Sequence, residues 1–184
     1  MTVSKFEIED AIKNKGDFVK IDYLKRYLKV ADNFEVKKYI HLTLADICEQ
    51  KNMFHEAIKN ISSAADMTKT FREKIDLYMK ETELNIMLRD FEMADKSMKK
   101  AYAFGNSQEK MDIQIFYREL FRKHAKLLEE KGKHRIALEL YEKLYSITKN
   151  PQRKIELKEK LLGLYLITGM QREYNMMKEN DFVV

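Results

Sequence analysis

The chain has 184 residues, 45% hydrophobic and 35% charged, with 35 Lys and Arg against 30 Asp and Glu, five glycines, one proline, one cysteine and no tryptophan. So few turn-forming residues exclude sandwiches, barrels and Rossmann-like sheets, and predict an all-helical chain. The single Cys48 can close no intramolecular disulfide and no cysteine cluster exists to hold zinc, so packing alone must hold the fold, in a reducing compartment.

Helix signals follow in order. Ser4 with Glu7 has capping-box spacing and opens a helix near 4–14; Gly16 breaks it, and a second follows over 17–30. Asp32 with Glu35 opens 35–50, and Asn52 heads 53–66. Thr70 with Glu73 opens 71–88, and Asp90 heads 91–104. Asn106 heads 107–130, Gly132 interrupts, and 134–148 follows. Asn150 and Pro151 give a cap and a first-turn proline for 151–167, and Gly169 separates the last helix, 170–179. Charges run through the first thirty residues and no long apolar stretch occurs, so neither a signal peptide nor a membrane span is expected, and the cytoplasm is the expected compartment.

The ten helices form pairs, 4–30, 35–66, 71–104, 107–148 and 151–179, of a single domain over 1–184. Ile21, Ala57, Ala94, Ala137 and Tyr174 anchor the second helices at separations of 36, 37, 43 and 37 residues. Twelve residues before the central anchors stand Ala45, Thr82 and Ala125. Three before stand Phe54, Phe91 and His134, with Phe18 matching in the first pair. Five before the anchors come Gly16, Asn52, Arg89, Gly132 and Gly169, a turn position where a left-handed residue suits a tight helix exit.

This spacing of small, small, aromatic and apolar positions resembles the tetratricopeptide repeat, best in Ala45, Asn52, Phe54, Ala57, Ile61 and Ala64. The resemblance spans nearly the whole chain and implies a right-handed α-solenoid of about five antiparallel pairs. It implies too that the first helices line a concave surface where ligands usually lie. The spacing exceeds the usual length of about 34 residues, and the largest insertion falls between Tyr102 and Arg118.

Chemistry is sparse. There is no phosphate loop, nucleophile elbow or paired zinc histidines, so no enzyme, cofactor or metal is expected. His41, His55, His124 and His134 read as structural, Cys48 as core, and the pairs Glu81/Glu83 and Glu129/Glu130 as solvated carboxylates. Charge says more. Residues 107–160 hold fourteen Lys and Arg against nine Asp and Glu, while the remainder is balanced. Arg118, Arg122, Lys123 and Lys126 lie at helix-neighbour spacing. Lys80, Lys123 and Lys160 stand fourteen residues before the last three anchors, one per repeat.

Such a ladder suits an acidic peptide or protein surface. It loosely resembles the carboxylate clamps of chaperone-binding members of the family, but Thr43 and lysines stand where those present asparagine, so that ligand is not carried over. Glu119, Glu156 and Glu159 could instead neutralise these cations. The expected function is a non-catalytic adaptor or scaffold with a protein partner. The alternative is an RNA- or ribosome-associated protein using Lys131, Lys133, His134 and Arg135, with Lys96, Lys99 and Lys100. A homodimer through the end pairs is also compatible, and the apolar Phe182-Val183-Val184 docks on the last pair, on a second copy of the chain, or not at all.

Overall fold

A computed structural model describes residues 3–179. Ten helices and no strand occur among the described residues: α1 (Lys5–Ile12), α2 (Asp17–Val30), α3 (Phe34–Gln50), α4 (Phe54–Met67), α5 (Phe71–Met87), α6 (Phe91–Phe104), α7 (Ser107–Glu130), α8 (His134–Ile147), α9 (Pro151–Thr168) and α10 (Gln171–Glu179). All ten expected helices are present, with ends within two residues of expectation. The apolar Phe182-Val183-Val184 lies outside the described residues.

The chain forms two compact units, Met1–Ile113 and Gln114–Val184. In the first, α3 packs on α4 and α5 on α6, and α4 also packs on α5. Two ion pairs bridge the first helices of successive pairs: Lys38 Nζ lies 3.0 Å from Glu73, and Lys80 Nζ lies 2.6 Å from Glu49. Lys38 and Glu73 are both near helix starts, so α3 and α5 run side by side in the same direction. Packing is closest at the small anchors: Ala57, Ala64, Ala94 and Ala101 are wholly buried. Leu24, Ile40, Leu44 and Leu84 fill the space between helices. Burying each such side chain contributes about 1.5–3 kcal/mol.

In the second unit, α8 and α10 both pack on α9. Phe121, Ala125, Ala137, Leu140, Leu144, Leu161 and Leu164 form its interior. Tyr117 meets Phe121 edge to face at 5.1 Å between ring centroids.

One turn recurs. Asn52, Arg89, Gly132 and Gly169 have φ of 58°, 61°, 70° and 74°. After each, the next amide donates to the carbonyl five residues back: Met53 to Cys48, Asp90 to Asn85, Lys133 to Leu128 and Met170 to Tyr165, at 2.8–2.9 Å. These are Schellman closures, which use up orphan carbonyls at the helix end and reverse the chain within a few residues. Gly16 breaks the series: its φ is −67° and it is the N-cap of α2.

Four local expectations are corrected. Asn33, not Asp32, caps α3, accepting from the Glu35 amide at 2.8 Å. Asn52 is the left-handed turn residue, and Met53 holds the cap position of α4. Thr70 accepts from the Glu73 amide at 3.4 Å, but the Glu73 carboxylate takes Lys38. Phe18, expected to pack like Phe54 and Phe91, is exposed. The boxes at Ser4/Glu7 and Asn106/Glu109 are reciprocal.

The insertion before Arg118 lengthens a helix rather than a loop. α7 has 24 residues where α3 and α5 have 17. Seven extra residues make almost two full turns, so the buried face keeps its phase.

Candidate functional site

The cations singled out by spacing all lie on first helices: Lys80 on α5, Arg118, Arg122, Lys123 and Lys126 on α7, and Lys160 on α9. Arg118, Arg122 and Lys126 share one face of α7 because they are spaced i, i+4. Carboxylates are interleaved with them. Arg122 pairs with Glu119, and Lys126 Nζ stands 4.0 Å from Glu130. Arg118 is half-buried and Lys123 exposed.

Lys80 and Lys160 are held in equivalent ways. Lys80 binds Glu49 of α3 and Lys160 binds Glu129 of α7, each from a glutamate 31 residues earlier. Both glutamates lie eight residues before an anchor alanine, so the bridge is a repeated device joining one first helix to the next. For Lys123 the corresponding position is Ile86, which is apolar and buried. The lysines keep much of their surface, 38% of the Lys80 side chain and 43% of the Lys160 side chain being exposed. Lys80 also lies 3.8 Å from Glu83 of its own helix, so two carboxylates hold it, and both ammonium groups are positioned while remaining partly exposed.

Glu129 is not the solvated carboxylate its sequence setting suggests, because it also accepts from the Tyr141 hydroxyl at 3.2 Å. Burial, with Glu129 beside it, pushes the Tyr141 phenol up to about 12. Tyr165 is shifted in the same direction by burial and by its 2.6 Å hydrogen bond to Glu142.

Glu81 departs from expectation most. It is 2% exposed, accepts from Ser97 Oγ at 2.7 Å, and lies 3.6 Å from the Lys100 ammonium, while its Oε2 has no hydrogen-bond partner. Asn85 completes the cluster, donating to the Glu81 carbonyl at 3.0 Å. A carboxylate buried this deeply needs its partners, which are the buried Ser97 hydroxyl and the ammonium group of Lys100, itself 46% exposed. No residue spacing announced this cluster. The one available hint is that Glu81 occupies the repeat position held by Leu44 in α3.

Two histidines depart from the satisfied structural role expected of them: His55 is exposed, and the buried Nδ1 of His134 has no hydrogen-bond partner. His41 Nδ1 donates to Asn60 Oδ1 at 2.9 Å, since Asn60 Nδ2 is committed to the Glu56 carbonyl. Burial pushes the Cys48 thiol up, away from reactivity. Thr68 and Thr148, eleven residues after Ala57 and Ala137, were missed. Each is buried at the end of a second helix and donates back to a carbonyl four residues earlier, at 2.9 and 2.7 Å.

A pocket of about 460 Å³ opens at the start of α8, lined by Gly132, Lys133, His134, Arg135, Ile136, Ile167 and Thr168. Three of the four residues flagged as a basic stretch line it. The first turn of α8 carries no acidic residue, so nothing local cancels its positive end. Among the described residues no group of three or more His, Cys, Asp or Glu could hold a metal, and no helix is long and apolar enough to cross a membrane.

These features define an all-α protein built from repeated helix pairs. No family model matches the chain, and no curated protein matches its sequence. Among solved structures it is similar to the crystal structure of MamA, at 17% identity over 96% of this chain and 92% of that one, with a TM-score of 0.43. A likeness that loose carries no argument about function.

Proposed function

We propose that this chain is a non-catalytic, tetratricopeptide-like adaptor whose first helices bind an acidic peptide or protein surface. Lys80, Arg118, Arg122, Lys123, Lys126 and Lys160 are the contacting residues. The observation that supports this reading is the paired tethering of Lys80 and Lys160. Each lysine is held at a fixed height by a glutamate of the preceding first helix, Lys80 by Glu83 of its own helix as well, and a ligand carboxylate joining either partly exposed ammonium group would meet it at small entropic cost. Charge supports it too: the second unit carries fifteen Lys and Arg against ten Asp and Glu, and the first carries twenty of each.

A second reading, binding of RNA phosphates, is favoured by one feature, the pocket at the start of α8 with Lys133 and Arg135 on its rim. One titration separates the two. A labelled poly-glutamate peptide and a single-stranded RNA of similar length are each titrated with the wild type and with the triple variant Lys80→Glu, Lys123→Glu, Lys160→Glu at low salt. The adaptor reading expects about a tenfold or greater loss of peptide affinity in the variant, with RNA bound weakly by both. Unchanged peptide affinity overturns it. Tight, salt-sensitive RNA retention that Lys133→Glu with Arg135→Glu abolishes favours the second reading.

A further inference from the structure

Helix α9 carries an apolar stripe that is exposed at both ends and half-buried at Leu162. Ile155, Leu162 and Leu166 share one face, spaced i, i+7 and i+11, opposite the face on which Leu157, Leu161, Leu164 and Tyr165 are buried. Ile155 and Leu166 are 54% and 56% exposed.

The repeat shows what that face is for. Counted back from the anchors, Ile155, Leu162 and Leu166 correspond to Lys38, Ala45 and Glu49 in α3, and Leu166 corresponds to Glu129 in α7. Lys38 and Glu49 contact the following first helix, α5, and Glu129 contacts the following first helix, α9. In α5 the same three positions are Ile75, Thr82 and Ile86, all buried. The stripe on α9 is therefore a first-helix stacking face in its aliphatic form, exposed at Ile155 and Leu166. Gly163, beside the stripe, adds to this reading. A mid-helix glycine costs about 1 kcal/mol relative to alanine, and a Cβ there would meet nothing of this chain within 4 Å. Among the described residues nothing uses the space it leaves.

We propose that this face docks on the same face of a second copy, α9 against α9 in antiparallel orientation about a two-fold axis. Self-complementarity argues for a second copy over an unrelated helix. In an antiparallel pair, residues whose numbers have a constant sum lie level with one another. Centring the axis between Lys158 and Glu159 sets Ile155 against the partner's Leu162 and Pro151 against the partner's Leu166. The same register brings Lys158 to the partner's Glu159, twice over by symmetry. Apolar residues meet apolar residues and opposite charges meet, as an isologous interface requires. This surface contains none of the cations assigned to the acidic partner, so the dimer stands or falls apart from the adaptor reading.

Sedimentation velocity of the full chain over a range of concentrations tests it. The wild type should approach twice the 22.0 kDa chain mass. Ile155→Glu with Leu166→Glu should stay at the single-chain mass with an unchanged helical circular dichroism spectrum, both positions being exposed in the free chain. Lys158→Glu should weaken the dimer, and Lys158→Glu with Glu159→Lys should restore it. A wild type that remains monomeric throughout, or a dimer that survives Ile155→Glu with Leu166→Glu, overturns the proposal. A charge-swapped variant that fails to recover overturns the antiparallel register on which it rests.

Discussion

Three residues after its anchor alanine, the first unit carries Ser97 and the second carries Leu140, and both side chains are almost wholly buried. Around Ser97 the interior is polar, with Glu81, Asn85 and the nearby Lys100 ammonium. At Leu140 it is aliphatic, with the buried Leu144 one turn on. The same helix-pair geometry thus accepts either solution, because the backbone turn and the small anchor are shared and only the infill differs. The teaching concerns energy rather than shape. A leucine interior gains from burial itself, whereas a buried carboxylate gains only while each of its partners stays in place.

The sharpest way to break that comparison is truncation at the matched position. Leu140→Ala should destabilise by about 2–5 kcal/mol through lost burial and a cavity. Ser97→Ala should cost about 1–3 kcal/mol, because Glu81 loses its hydroxyl donor although hardly any volume is removed. Urea denaturation of both variants measures the two values. Equal and small losses would mean that the polar interior is filled by something other than the Glu81 and Ser97 pair.

The turns offer a second contrast. The first unit closes one of them with Arg89 at φ 61°, and the second closes the equivalent one with Gly132 at φ 70°. A side chain in that conformation is strained, so Arg89→Gly should stabilise by about 0.5–1 kcal/mol, and Gly132→Ala should destabilise by about 1 kcal/mol. Thermal melts read both, and a loss of stability in Arg89→Gly would show that the arginine side chain itself contributes more than its backbone costs.

The smallest effect sharpens the electrostatic difference. In the second unit Tyr141 is raised to about 12 by burial and by Glu129, and Tyr165 is raised by burial and by Glu142. The folded state therefore keeps protons that the unfolded chain releases near pH 10. Stability from these phenols is complete below about pH 10 and falls as pH climbs towards about 12. Tyr141→Phe with Tyr165→Phe should flatten the decline in urea midpoint across that window. An identical slope in wild type and variant would assign alkaline sensitivity to other groups.

Much of the architecture was legible beforehand because it is local. Caps, proline and left-handed turn residues act within a few positions, so Ser4, Asp90 and Asn150 mark true helix starts and the Asn52, Arg89, Gly132 and Gly169 turns recur on schedule. Small anchors at helical spacing likewise reported their own burial. Phe18 failed because sharing a repeat position does not by itself supply the neighbours that Phe54 and Phe91 have, and its side chain is exposed. Asp32 failed because two adjacent cap-forming residues compete and the backbone chose Asn33.

The candidate site was legible only as a list of cations. Sequence placed Lys80 and Lys160 at one repeat position; it could not say that Glu49 and Glu129 would meet them, because a bridge across 31 residues depends on which helix lies alongside which. Glu129 was read as solvated and is tied to both Tyr141 and Lys160; Glu81 was read as solvated and is buried. Composition and periodicity by themselves determined the helices and where the positive charge accumulates, since each follows from short-range propensity or simple counting. Only the tertiary structure decided which carboxylates those charges meet and which apolar side chains of α9 are exposed. Both depend on contacts between residues far apart in the chain, which no local pattern encodes.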